Sequence, residues 1–84
     1  MPRILDRDLI EKRLAHAERH VANVERDVAR QRMVVAGLEL CGRDTSRATS
    51  LVRYFEELHA AYVAYRDLLR KELALAGATL CRAT

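Results

Sequence analysis

Nine positions between residues 10 and 38 form an apolar repeat with alternating steps of four and three. They carry, in order, Ile10, Leu14, Ala17, Val21, Val24, Val28, Gln31, Val35 and Leu38. This spacing averages 3.5 residues and keeps one side of a helix turned towards a partner helix, as in coiled coils. Between residues 9 and 40 only Gly37 is a helix breaker, at a cost of about 1 kcal/mol, and the valines lower the helix propensity slightly. The repeat predicts one long helix with a single packing stripe, in which the polar Gln31 fixes the pairing register.

A second apolar stripe follows after a short polar segment. It contains Ala48, Leu51, Phe55, Leu58, Tyr62, Tyr65, Leu69, Leu73 and Ala76. Between the stripes, Gly42 suits the left-handed conformation that closes a helix, and Asp44 or Thr45 suits the cap of the next. Gly77 is a plausible stop for that helix. We predict helix 1 over about residues 7–41, a turn at 42–45, helix 2 over about 46–76 and a short C-terminal tail.

A connection this short brings the two helices back along each other as an antiparallel hairpin. The whole chain, residues 1–84, is then a single all-α domain. Further apolar residues flank both stripes, and contiguous exposed apolar surface usually marks an interface. These flanking residues are Val34, Val52, Val63, Leu68 and Leu75. We therefore expect two hairpins to associate about a twofold axis into a four-helix bundle, with another protein as an alternative partner.

Charge, apolar runs and cysteines indicate which partners and which cellular compartment to expect for the chain. The net charge is +3, and acidic residues are interspersed with the arginines, which argues against a nucleic-acid-binding face. The N-terminus lacks the apolar core of a signal peptide, and no apolar run reaches the ~20 residues that span a bilayer. We expect a cytoplasmic protein without membrane contact. Cys41 and Cys81 would then be reduced, and their predicted separation of roughly 45 Å would let them meet only between chains.

The sequence FEELH at residues 55–59 raises the possibility of a metal site. Glu56 and His59 have the Glu-x-x-His spacing of di-iron helical bundles, and Glu25 is expected opposite them. Two chains related by a twofold axis would double this ligand set. The simpler interpretation is a solvated helix shoulder on which Glu56 pairs with Arg26 or Arg30. We prefer it, because motifs this short often match by chance, and we expect no metal and no other cofactor.

His16 and His20 form a second pair of candidate ligands. They are four residues apart and so share one side of a helix. A zinc site needs a third and a fourth ligand, and the facing segment offers only Asp67. We therefore interpret both histidines as ordinary exposed or half-exposed side chains.

Three arginines lie close to the turn in sequence. Arg43, Arg47 and Arg53, together with the N-terminus of helix 2, are a candidate site for an anion or for weak nucleic-acid binding. The preferred interpretation is a solvated surface. No base is placed to activate the serines and threonines of residues 45–50, and no phosphate-binding loop is present, so we predict that the chain is not an enzyme.

Short segments spread over residues 13–73 carry a resemblance. They are HVA (20–22), ER (25–26), ARQR (29–32), LE (38–39), GRDT (42–45), FEEL (55–58) and RD (66–67). In these segments the chain resembles a family of small helical-hairpin proteins of soil alphaproteobacteria. The resemblance implies a bacterial source but no activity, cofactor or site residues. In that family the position of His59 more often holds Gln, which also weighs against the metal site.

The sequence thus favours a non-enzymatic interaction or structural module. The alternatives are a ferritin-like metal-binding protein and weak binding of an anion or of nucleic acid near the turn. The residues expected in the core or interface are Val21, Val24, Val28, Gln31, Val35, Leu38, Leu51, Phe55, Leu58, Tyr62, Tyr65 and Leu69.

Overall fold

The computed structural model describes the backbone of residues 3–83 and the side chains of residues 7–77. Within this part, the chain forms two α-helices, α1 (Arg3–Leu40) and α2 (Ser46–Ala83), and no strand. The helices pack against each other as an antiparallel hairpin with extents of 65 × 18 × 14 Å. The predicted all-α hairpin is confirmed.

The side of α1 that packs on α2 follows the 3.5-residue repeat. Ala17, Val21, Val24 and Val28 are buried, and the other five positions of the repeat are half-buried. Gln31 is among the half-buried ones, and its role in fixing the register stays a prediction. We call the contact between α1 and α2 the seam.

On α2 the seam differs from the predicted stripe at two positions. Leu51 and Tyr65 are exposed, and the next residue in each case, Val52 and Arg66, is half-buried instead. Arg66 is acceptable there because a long arginine stem covers apolar surface while its charged end reaches out. Its guanidinium lies 3.2 Å from the carboxylate of Asp67. A pattern that counts arginine as polar therefore assigns the neighbouring tyrosine to the seam by mistake.

Both helices extend beyond their predicted bounds at the open end of the hairpin. α1 begins at Arg3 rather than near residue 7, and α2 continues through Gly77 to Ala83 in place of the predicted tail. One glycine inside a helix costs only about 1 kcal/mol, and Ala74, Ala76 and Ala78 around it are strong helix formers. At the other end, α1 stops at Leu40, one residue before its predicted end.

The turn between the helices is closed by backbone hydrogen bonds. Gly42 has a φ of 66°, the left-handed conformation that the sequence predicts. The Arg43 amide donates to the Leu38 carbonyl over 2.8 Å, and the Gly42 amide donates to the Glu39 carbonyl over 3.0 Å. This is the Schellman arrangement, which satisfies carbonyls left open at a helix C-terminus.

The side chain of Asp44 forms hydrogen bonds with the first residue of α2. Its Oδ1 accepts hydrogen bonds from the Ser46 hydroxyl (2.7 Å) and from the Ser46 amide (3.0 Å). These two bonds favour the carboxylate form and lower the pKa of Asp44 below its usual value of 3.8. Of the two predicted capping residues, Asp44 thus supplies the side-chain acceptor.

Candidate functional site

One side of the hairpin carries the three ion pairs that join α1 to α2 within the described side chains. They are Glu18–Arg70 (3.1 Å), Glu25–His59 (3.1 Å) and Arg32–Glu56 (2.5 Å). Their α1 members are spaced seven residues apart and therefore form one line along the helix. We call these six residues the ion-pair face. Glu18–Arg70 and Arg32–Glu56 are largely exposed, so each contributes only about 0.2–1 kcal/mol, whereas Glu25–His59 is an ion pair only when the imidazole is protonated.

The metal-ligand candidates lie on this ion-pair face. Glu25 and His59 are in contact, with Glu25 Oε2 3.1 Å from His59 Nε2. Glu56 lines the same groove, but its carboxylate accepts a hydrogen bond from the Arg32 guanidinium. Among the described residues, no group of three His, Cys, Asp or Glu side chains is placed to hold a metal ion. One chain alone therefore offers two adjacent ligands and a third that is neutralised by an arginine.

The ion pair of Glu56 corrects the sequence analysis. The sequence predicts Arg26 or Arg30 as its partner, yet Arg26 donates a hydrogen bond to Asn23 and Arg30 lies 3.8 Å from Asp27. With a helical rotation of 100° per residue, both arginines lie on the side of α1 that faces away from α2. Arg32 reaches α2 because it lies two helical turns beyond Glu25 on the same line of α1.

His16 and His20 take part in ring contacts rather than in a ligand set. Their rings meet edge to face at 5.2 Å, and His20 also stacks on Tyr62 with centroids 4.9 Å apart and planes 8° from parallel. The Arg19 guanidinium lies 2.6 Å from His16 Nδ1. The facing Asp67 pairs with arginines of its own helix. Among the described residues, no third His, Cys, Asp or Glu side chain joins the two histidines in a group that could hold a metal ion. No motif in the sequence predicts the stack with Tyr62.

The arginines near the turn do not converge. Arg43, Arg47 and Arg53 are all exposed. Arg47 and Arg53 are six residues apart on α2, which places them on different sides of the helix. The N-terminus of α2 is already occupied, because Asp44 accepts from the Ser46 amide and brings a negative charge. The three arginines of the candidate anion site are therefore not brought together.

A second apolar line runs along α2 beside the seam. It consists of Leu51, Tyr54, Leu58, Ala61, Tyr65 and Leu68, of which Leu58 is half-buried and the other five are exposed. The steps between them are three and four, as in the seam. Continuing the same steps adds Arg47 before this line and Glu72 after it. We call these eight residues of α2 the open face.

The open face and the ion-pair face lie on different sides of the hairpin. At 100° per residue, their α2 members are separated by roughly 160° around the helix. Two shallow grooves lie on the side of the hairpin that carries the open face. One is bounded by Arg47, Leu51 and Tyr54, and the other lies between the His20–Tyr62 stack and Tyr65. The regular steps of this line are the signal in the sequence that distinguishes it from the seam.

Neither helix, over the residues described, has a segment long and apolar enough to cross a membrane. Comparison of the chain with models of protein families, with curated proteins and with solved structures finds no match. The resemblance to small helical-hairpin proteins of soil alphaproteobacteria therefore stays a prediction.

Proposed function

We propose that the protein is a non-enzymatic interaction module that associates with a second copy of itself through the open face to form a four-helix bundle. The observation that carries this proposal is the open face itself. Tyr54 and Leu68 are 57% and 52% exposed, although both belong to a regular apolar line. A continuous apolar line with this spacing is the usual packing surface of one helix on another.

The surface area of the single chain supports association. The hairpin exposes 6567 Å² for a mass of 9.6 kDa. A compact monomer of this mass exposes about 5,100 Å². The excess is roughly 1,500 Å², whereas each partner of a standard protein interface buries about 800 Å². Docking of two hairpins would bring the accessible area per chain towards that of a compact protein.

The small core gives a second line of support. Six hydrophobic residues are buried within the described part of the chain, and all except Leu69 are alanine or valine. Domains of this size usually need additional stabilisation from a metal, disulfides or a partner subunit. A second hairpin would supply it by covering the side chains of the open face.

A metal site shared between two chains is the second candidate. It is favoured by the contact of Glu25 with His59 and by the position of Glu56 in the same groove. It is opposed by Arg32, which neutralises Glu56. Sharing this site would require the ion-pair faces of two hairpins to meet, so the two candidates predict different interfaces.

Native mass spectrometry after growth with added iron and zinc would test both candidates. We expect a metal-free dimer for the wild-type chain and a helical monomer for Leu68→Glu, because a carboxylate cannot be buried in an apolar contact without a large cost. Met33→Glu is the matched control, since Met33 is exposed on the side of α1 away from α2. It should remain dimeric.

A wild-type monomer, or equal effects of Leu68→Glu and Met33→Glu, would refute the proposed interface. A dimer that carries metal and loses it on Glu56→Ala would favour the ion-pair face instead.

A further inference from the structure

The open face has the same spacing when it is read from either end. Its positions are 47, 51, 54, 58, 61, 65, 68 and 72, with steps of 4, 3, 4, 3, 4, 3 and 4. The residues are, in order, Arg, Leu, Tyr, Leu, Ala, Tyr, Leu and Glu. The apolar part is thus nearly palindromic, and the two ends carry opposite charges.

We infer that the two copies pair antiparallel along α2, with the twofold axis passing between Leu58 and Ala61. This inference rests on the proposed dimer and specifies its register. In a twofold interface, each contact between two positions occurs twice. The apolar contacts across the axis would be Leu51 with Leu68, Tyr54 with Tyr65, and Leu58 with Ala61.

The charges at the two ends favour this direction. In the antiparallel register, Arg47 of each copy faces Glu72 of the other. In a parallel pairing, Arg47 would face Arg47 and Glu72 would face Glu72, which is repulsive. Within their own chain, over the described side chains, Arg47 and Glu72 belong to no ion pair. Both charges are therefore available to a second copy.

The two grooves beside the open face are consistent with the same antiparallel register. The groove beside Tyr65 would face Tyr54 of the second copy, whose exposed ring is the group to enter it. The groove bounded by Leu51 and Tyr54 would face the segment around Leu68. An aromatic ring entering an apolar groove is a common anchor of protein interfaces. Both indentations would be covered in one contact.

Disulfide trapping tests the register directly. In a background of Cys41→Ser and Cys81→Ser, one protein would carry Leu51→Cys and another Leu68→Cys. We expect a cross-linked heterodimer on mixing and mild oxidation. Neither protein alone should cross-link efficiently. In this register, two copies of position 51 are 17 residues apart along the bundle, or roughly 25 Å, and a disulfide needs Cα atoms within about 7 Å.

The possible failures of this test can be told apart. Efficient cross-linking of the Leu51→Cys protein with itself would show a parallel pairing and overturn the inference. A dimeric mass without any cross-link would also overturn the register while leaving the dimer intact. A monomeric mass for the uncross-linked proteins would instead refute the proposed function.

Charge reversal gives an independent test. Arg47→Glu and Glu72→Arg should each raise the dimer dissociation constant by about five- to tenfold at low salt, because each creates two like-charge contacts. The double variant should return to nearly the wild-type value. If the two single effects add in the double variant, Arg47 and Glu72 do not face each other and the register is wrong.

Discussion

The two sides of the hairpin differ in where their side chains find partners. On the ion-pair face, each of the six polar side chains contacts a side chain on the other helix of the same chain, as Glu18 contacts Arg70. On the open face, the side chains of Tyr54 and Leu68 are exposed to solvent. Exposure is similar on both sides, so exposure alone does not identify an interface. The open face is distinguished by apolar side chains with regular spacing and by end charges that form no ion pair with the other described side chains of the chain.

The largest expected effect is on the free energy of unfolding, and it concerns two adjacent leucines, one in the seam and one on the open face. Leu69 is 3% exposed, and Leu69→Ala should lower the free energy of unfolding by about 3 kcal/mol, because it removes a buried side chain and leaves a cavity. Leu68→Ala should act only through the dimer. Urea denaturation at several protein concentrations would measure both.

The expected contrast at these leucines lies in the concentration dependence. Leu69→Ala should be destabilising at every protein concentration. Leu68→Ala should match the wild type where both are monomeric and fall below it where the wild type is dimeric. Equal losses at all concentrations would mean that Leu68 contributes to the hairpin and not to an interface.

A smaller effect is expected on the dissociation constant of the dimer, which should respond to substitutions on the open face but not on the ion-pair face. Tyr65→Ala removes a ring from the open face and should raise the dissociation constant at least tenfold, as truncation of an interface aromatic commonly does. His59→Gln changes the ion-pair face and should leave the dissociation constant within about twofold, as expected for a surface substitution away from the contact. Sedimentation equilibrium of both variants at one salt concentration would measure the difference.

The reverse result would exchange the roles of the faces. If His59→Gln dissociates the dimer and Tyr65→Ala does not, the contact between hairpins is formed by the ion-pair face.

The smallest expected effect concerns Asp44, which belongs to neither face. Hydrogen bonds from Ser46 lower its pKa in the folded chain below the usual 3.8. A lowered pKa means that this carboxylate stabilises the fold above about pH 4 and loses its contribution as the pH falls through the folded value. Asp44→Asn should therefore flatten the acid side of the stability profile slightly. Thermal unfolding between about pH 5 and pH 2 would measure it, and an unchanged profile would contradict the assignment.

The sequence predicted α1 better than α2 for a physical reason. α1 has one apolar line, so the buried positions around Val21 and Val28 follow directly from the spacing. α2 has two lines side by side, and spacing alone does not tell which of them meets α1. The spacing therefore assigns Leu51 to the seam, although Val52 occupies it. Gly77 does not end α2, because the high helix propensity of the alanines around it offsets the cost of one glycine.

The candidate site shows the same limit. The proximity of Glu25 to His59 was predicted from the position of the turn. The pairing of Glu56 with Arg32 was not, because it depends on how far each helix is rotated about its own axis. A shift of one residue turns a side chain by 100° and can exchange one arginine for another. This rotation is set by the packing of the whole seam, which no single motif encodes.

The turn closed by Gly42 also implies an order of events during folding. The ion pairs between the helices join residues separated by 24, 34 and 52 positions, and these separations increase with distance from the turn. Closing a longer loop costs more chain entropy, so contacts beside the turn form with the smallest loss. Each contact then shortens the loop that the next one must close. The hairpin should therefore assemble outwards from Gly42, and substitutions near the turn should slow folding while those far from it should mainly speed unfolding.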